Sequence, residues 1–213
     1  MFSHEIAYRG ADLAAKMQKH LIVICGAGAL GSNLADKLCR QCAVNVRVID
    51  FDKVEQHNIN TQIYGLNETG KVKVDALRNR LFRSTRVNID AQNKRLDEKN
   101  VAKLLKGATL VIDTFDNHAS RKVVHEYCTA KGVPCLHSGM FEDYGQVCWR
   151  EKYIVPRDPP PAADDVCDNP LARNLIDIVV GITAEEVMDF CLSKKPRQKS
   201  WSFTLKDLTI SAY

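Results

Sequence analysis

The sequence predicts a doubly wound α/β fold, a mostly parallel sheet with helices on both faces and antiparallel strands added at its C-terminal edge. Three observations lead there. Short, almost wholly apolar runs end at a glycine or an aspartate, as strands covered on both faces do. Between them lie stretches with apolar residues at helical spacing. The last twenty residues or so change to a two-residue alternation. Alternating strands and helices with right-handed, un-knotted crossovers leave few other architectures.

The elements follow in order. Residues 21–25, Leu-Ile-Val-Ile-Cys, form the first strand and run straight into Gly26. Residues 28–39 form a helix, with Leu30, Leu34 and Leu38 on one face. Residues 44–49 form a second strand ending at Asp50, and residues 71–84 a second helix striped by Val74, Leu77 and Leu81. A strand is expected over 87–91. A short helix over 97–106 carries Asp97 and Glu98 in its first turn, favourable at the positive end of the helix dipole. Residues 110–113 repeat the first strand's character. Residues 118–131 form a helix stopped by Gly132 and Pro134. Strands at 134–137 and 146–149 lead into a crossover over 150–168, where Pro156, Pro159, Pro160 and Pro161 break both kinds of ladder. A long helix over 171–192 precedes the tail, 194–213. There Trp201, Phe203 and Leu205, then Leu208 and Ile210, predict a terminal hairpin. The whole chain, 1–213, reads as one domain.

Composition narrows the class. With 213 residues, 45% hydrophobic and 26% charged, the chain can bury a core without metals or disulfides. No apolar run approaches the ~20 residues of a membrane span, and residues 1–10 have no signal-peptide core, so a cytoplasmic protein is expected. The net charge of +4 is spread along the chain, apart from Lys194, Lys195, Arg197 and Lys199. That pattern does not point to nucleic acid. Eight cysteines are expected to be thiols. Cys39 and Cys42 stand at C-x-x-C spacing without a second pair, so no zinc site is expected. Cys25, Cys128, Cys135, Cys148 and Cys191 sit among apolar residues and read as small buried hydrophobes.

The chemistry begins at the first strand. Gly26-Ala27-Gly28-Ala29-Leu30-Gly31 is G-x-G-x-x-G between a strand and a helix, the context in which the motif has meaning. Gly26, Gly28 and Gly31 permit a tight turn, close backbone approach to phosphate and tight helix–strand packing. The helix N-terminus then offers unpaired N–H groups to an anion. Asp50 lies about twenty residues further on, at the end of the second strand, where a carboxylate accepts ribose hydroxyls. The fold is thus Rossmann-like, with a nucleotide as ligand.

The nucleotide is specified by a wider pattern. Asp50-Phe51-Asp52-Lys53-Val54-Glu55, then Asn58 and Gln62, then Gly70-Lys71-Val72-Lys73-Val74, then Asp113-Thr114-Phe115-Asp116-Asn117 follow one another in order. This series resembles the ThiF/MoeB superfamily of ubiquitin-activating-type adenylyltransferases, over residues 5–190. The resemblance implies ATP and Mg²⁺ as cofactors. It implies a reaction in which a carboxylate, usually the C-terminal glycine of a ubiquitin-like or sulfur-carrier protein, attacks the α-phosphate to give an acyl-adenylate and pyrophosphate. It implies that Lys73 contacts the phosphates, that Asp116 holds Mg²⁺ and that Asn58 bonds the nucleotide nearby. Asp52, Gln62 and Asn117 are expected in the same pocket. Cys167, just before the last long helix, is the expected position for a reactive thiol. A homodimer is also implied.

At two positions the chain departs from the pattern. Thr61 stands where the loop of the family carries an arginine, and His4 where many members carry an N-terminal one. Each charge-assisted hydrogen bond lost weakens a site by about 1.5–3 kcal/mol. Arg9, Lys71, Arg121, Lys122 and Arg173 are candidate substitutes, and the sequence does not choose among them. Two other functions stay open. One is a catalytically impaired module that binds a ubiquitin-fold partner. The other is an NAD-dependent oxidoreductase, which the Y-x-x-x-K spacing of Tyr127 and Lys131 would serve.

Overall fold

The computed structural model describes residues 2–158, 171–197 and 199–213. Their strands form one eight-stranded sheet in the order β3-β2-β1-β4-β5-β6-β7-β8. β1 (Ile22–Cys25) lies between β2 (Val46–Asp50) and β4 (Leu110–Asp113), parallel to both. β3 (Asp90–Asn93) and β5 (Cys135–Phe141) extend the parallel part on either side. β6 (Tyr144–Trp149), β7 (Trp201–Thr204) and β8 (Thr209–Ala212) are antiparallel additions. The predicted doubly wound, mostly parallel sheet with an antiparallel C-terminal edge is the observed one.

Each parallel strand feeds both faces, as the period of two requires. Ile22, Ile24, Val46, Val48, Leu110 and Ile112 join a core under α2 (Leu13–Met17), α3 (Ala29–Arg40), α4 (Lys73–Thr85) and α7 (Arg173–Ser193). Val23, Cys25, Ile49 and Val111 join a smaller core under α5 (Val101–Leu104) and α6 (His118–Lys131). α7 lies across α3, β5 and β6. A Cβ at Gly145 would stand 2.5 Å from Val179 Cγ2, so glycine on β6 lets α7 seat against the strand. Among the described residues, no helix is long and apolar enough to cross a membrane.

The departures have local causes. α1 (Ser3–Arg9) and α2 escaped the sequence reading. α1 buries no residue and α2 only Leu13 and Met17, which leaves little amphipathic signal. The strand expected over 87–91 begins at Asp90, because Val87 and Ile89 pack into the core ahead of the ladder. The helix expected over 97–106 contracts to Val101–Leu104. Asp97 instead caps the turn, accepting from the Lys99 and Asn100 N–H groups at 2.9 and 3.0 Å. β5 and β6 are longer than expected and form a hairpin, with Glu142 at φ 51°. Cys25, Cys39, Cys42, Cys128, Cys135, Cys148 and Cys191 are free and buried, and among the described residues no cluster suits a metal ion. Cys167 and residues 159–168 of the expected crossover lie outside the described residues.

Candidate active site

The chain runs from β1 out to β3 on one side and from β4 onward on the other, so the sheet order reverses between β1 and β4. A crevice opens at the carboxyl ends of these two strands, where doubly wound sheets bind ligands. There the Thr114–Asn117 turn after β4 packs beside the glycine turn after β1, a Cβ at Gly26 falling 3.0 Å from Thr114 Oγ1.

The turn needs its glycines for different reasons. Gly26 has φ +105°, a conformation strained for any side chain. A Cβ at Gly31 would stand 2.0 Å from the Gly26 carbonyl oxygen, so only glycine lets α3 close on the strand. A Cβ at Gly28 would meet nothing within 4 Å, which leaves that side of the helix N-terminus open to a ligand. Three side chains brace the turn. The Ala27 N–H donates to Asp50 Oδ2 at 2.7 Å. The Tyr64 hydroxyl donates to the Ala27 carbonyl at 2.9 Å. The Thr114 hydroxyl donates to the Cys25 carbonyl at 2.8 Å.

Asp50 is buried and also accepts the Asp52 N–H at 2.8 Å. Burial pushes its carboxyl above the usual range, and the Ala27 N–H and the Lys73 charge oppose that rise. Two backbone donors leave lone pairs for the hydroxyls of a sugar. Lys73 opens α4 and is buried, its Nζ 3.2 Å from Asp52 Oδ2. The predicted cation and two of the predicted carboxylates are therefore one ionic group beside the glycine turn. Asn58 and Gln62 come from the 3₁₀ turn Gln56–Asn60 and its exit. Asn58 Oδ1 caps that turn, accepting the Glu55 N–H at 2.9 Å. Gln62 Oε1 is buried without a hydrogen-bond partner. On the β4 turn, Asp116 is exposed, and its Oδ1 accepts from Asn117 Nδ2 at 3.3 Å. Asn117 is the N-cap of α6, taking the Ser120 N–H at 2.9 Å.

The structure sorts the candidate cations. Arg9 is held by Glu185 through two nitrogens, at 3.1 and 2.6 Å, and by Glu5 at 2.7 Å. Arg121 is buried, donating to the Tyr153 hydroxyl at 2.9 Å and lying 3.6 Å from Asp113 Oδ2. Lys122 faces Glu126 at 3.8 Å, and Lys71 is exposed. Arg173, the first residue of α7, donates to the carbonyl of Thr61 at 3.0 Å. Tyr127 and Lys131 both lie on α6, Tyr127 half-buried against the smaller core and Lys131 exposed.

Behind the β4 turn lies a cluster that sequence reasoning missed. Fully buried Asp113 meets His137 Nδ1 at 2.9 Å, while its Oδ1 accepts the Phe115 N–H at 3.1 Å. His137 stacks on Tyr153 with ring centroids 3.6 Å apart. Burial alone would raise the Asp113 carboxyl; Arg121 and His137 outweigh it and hold it below the usual range. Burial lowers His137 in turn, so the ring is neutral near pH 7 and its Nδ1–H donates to Asp113. The carboxylate fixes the backbone two residues on, and so the turn that carries Asp116. An aspartate closing an apolar strand was the only trace of this in the sequence; His137, Arg121 and Tyr153 are brought to it by the fold.

Comparison with known proteins gives the following. The model of the ThiF family matches residues 2–212. The sulfur carrier protein adenylyltransferase of Thermus thermophilus is 26% identical over 188 residues, 81% of this chain and 69% of that protein. The sulfur carrier protein ThiS adenylyltransferase of Bacillus subtilis is 30% identical over 134 residues, 61% of this chain but 40% of its own length. Among solved structures, MccB of E. coli superposes with a TM-score of 0.82 at 17% identity, covering 99% of this chain and 67% of that one. A structure of the same protein with ATP superposes with a TM-score of 0.80.

Proposed function

The chain belongs to the ThiF family, and we propose that it is an ATP-dependent adenylyltransferase that activates the C-terminal carboxylate of a ubiquitin-like or sulfur-carrier protein. The observation that carries this reading is the joining of the glycine turn, Asp50, Asp52 and Lys73 into one group, beside the turn that carries Asp116, at the switch point of the sheet. The curated relatives named above act on sulfur carriers, by their names.

In this reading the sugar lies at Asp50 and the phosphates pass the open side of Gly28 toward the α3 N-terminus. Lys73 places one positive charge there. Asp116 would hold Mg²⁺. An exposed carboxylate is a fitting ligand for a hard divalent cation, which would supply charge neutralisation to the polyphosphate. The carrier carboxylate attacks the α-phosphorus, a P–O bond to that carboxylate forms, and the bond to the bridging oxygen breaks as pyrophosphate leaves. The chain's part is electrostatic and positional: no side chain needs to take up a proton. Thr61 favours a second reading, a module that binds the carrier without turning over ATP.

One experiment separates the two. ATP–pyrophosphate exchange is measured against ubiquitin-fold carriers ending in Gly-Gly. The enzyme reading expects carrier-dependent exchange that falls roughly 100-fold in Asp116→Ala. Carrier binding without exchange in the wild type would reject catalysis and leave the binding module.

A further inference from the structure

A nucleoside triphosphate stays anionic with one divalent ion bound, and Lys73 already shares its charge with Asp52 at 3.2 Å. The crevice needs another cation. Arg173 is in place for it. One guanidinium nitrogen donates to the Thr61 carbonyl at 3.0 Å, and another to Asn33 Oδ1 at 3.3 Å. Asn33 is itself tied to the rim of the nucleotide turn. Its Nδ2 donates to the carbonyl of Ala29, the first residue of α3, at 2.6 Å, and to the Thr61 carbonyl at 2.9 Å. The guanidinium is thus one side chain removed from the first turn of α3, which Gly28 caps.

Its present partners are weak ones for a cation. Two are neutral oxygens, and the third, Asp177 on the same helix, lies 3.5 Å away and is more than half exposed. A phosphate oxygen would be a stronger, charge-assisted acceptor, and the planar fork of arginine suits it. The other cations considered are held by Glu185, Asp113 or Glu126, or lie on the surface.

We propose that Arg173 is a phosphate-binding residue of this site, held ready by Asn33 and the Thr61 carbonyl and exchanging them for phosphate oxygens when a nucleotide enters. This rests on the nucleotide reading above. It also assigns Thr61 a part: its backbone, not its side chain, parks the charge.

The test compares the binding of Mg-ATP and of adenosine by calorimetry in the wild type, Arg173→Ala, Arg173→Gln and Arg173→Lys. Arg173→Ala and Arg173→Gln are expected to weaken ATP about 10- to 100-fold and adenosine less than about twofold, with Arg173→Lys recovering part of the loss. Because glutamine keeps a donor for the Thr61 carbonyl, it separates lost charge from a disturbed loop. Unchanged ATP affinity, or equal losses for ATP and adenosine, would overturn the proposal while the nucleotide reading stood. A wild type that binds neither ligand would overturn both.

Discussion

Asp113 and His137 show how one buried pair sets both a site and a pH dependence. His137 is lowered by burial from its ordinary 6.5, with the Asp113 contact opposing, and His20 is lowered by burial as well. A depressed histidine stabilises the fold fully above the unfolded value. As pH falls, the unfolded chain binds the proton first, and stability is lost down through the folded value. Asp113, also depressed, adds its loss only below the usual carboxylate range of about 3.8. Unfolding by urea should therefore show stability declining as pH falls below about 6.5, with a shallower slope in His137→Gln. Equal slopes in the two proteins would exclude His137 as the source. At the same scale, Gly31 is fixed by contact alone: the 2.0 Å gap to the Gly26 carbonyl oxygen admits no side chain.

Among the elements, α7 connects parts of the chain that the sequence keeps far apart. Its first residue reaches the nucleotide turn, and its middle holds the N-terminal helix α1 through Glu185 and Arg9. Glu186, buried, accepts the indole N–H groups of Trp149 and Trp201, each at 2.9 Å, with Arg197 at 3.4 Å. One carboxylate thereby pins β6 and β7 to the helix. Removing it leaves donors without an acceptor, each costing about 1–3 kcal/mol when buried. Glu186→Ala should lower stability by roughly 2–4 kcal/mol and alter the tryptophan fluorescence. A change under about 0.5 kcal/mol would mean that β7 is held by its apolar contacts alone. The helix was legible in the sequence as a long apolar stretch. Its role as a hub was not, because the polar residues Arg173, Glu185 and Glu186 acquire meaning only from what lies across from them.

For the whole molecule, the sheet order decides where chemistry can occur. The reversal between β1 and β4 puts two turns from distant parts of the chain into one crevice. The opposite end of the sheet is β8, an exposed edge strand carrying Ile210, next to exposed Leu208. Such an edge invites pairing or cover. A second copy of the chain is one such cover: sedimentation at micromolar concentration should show a homodimer, and a clean monomer would reject it.

The sequence by itself determined the strand–helix alternation and the glycine turn, and it offered Asp50 at a strand end as a candidate ligand, with Lys73 and Asp116 added as candidates by the family resemblance. Their signals are local: an apolar run, a spacing, a residue type at a strand end. Tertiary structure alone brought Arg173 to the carbonyl of Thr61, 112 residues away along the chain. It also decided that Asp113 is buried with His137 and Arg121 rather than offered to a ligand. Charge has no periodicity to betray its partner; the pairing of two ions is fixed by distance in space, and that distance exists only once the helices have packed on the sheet.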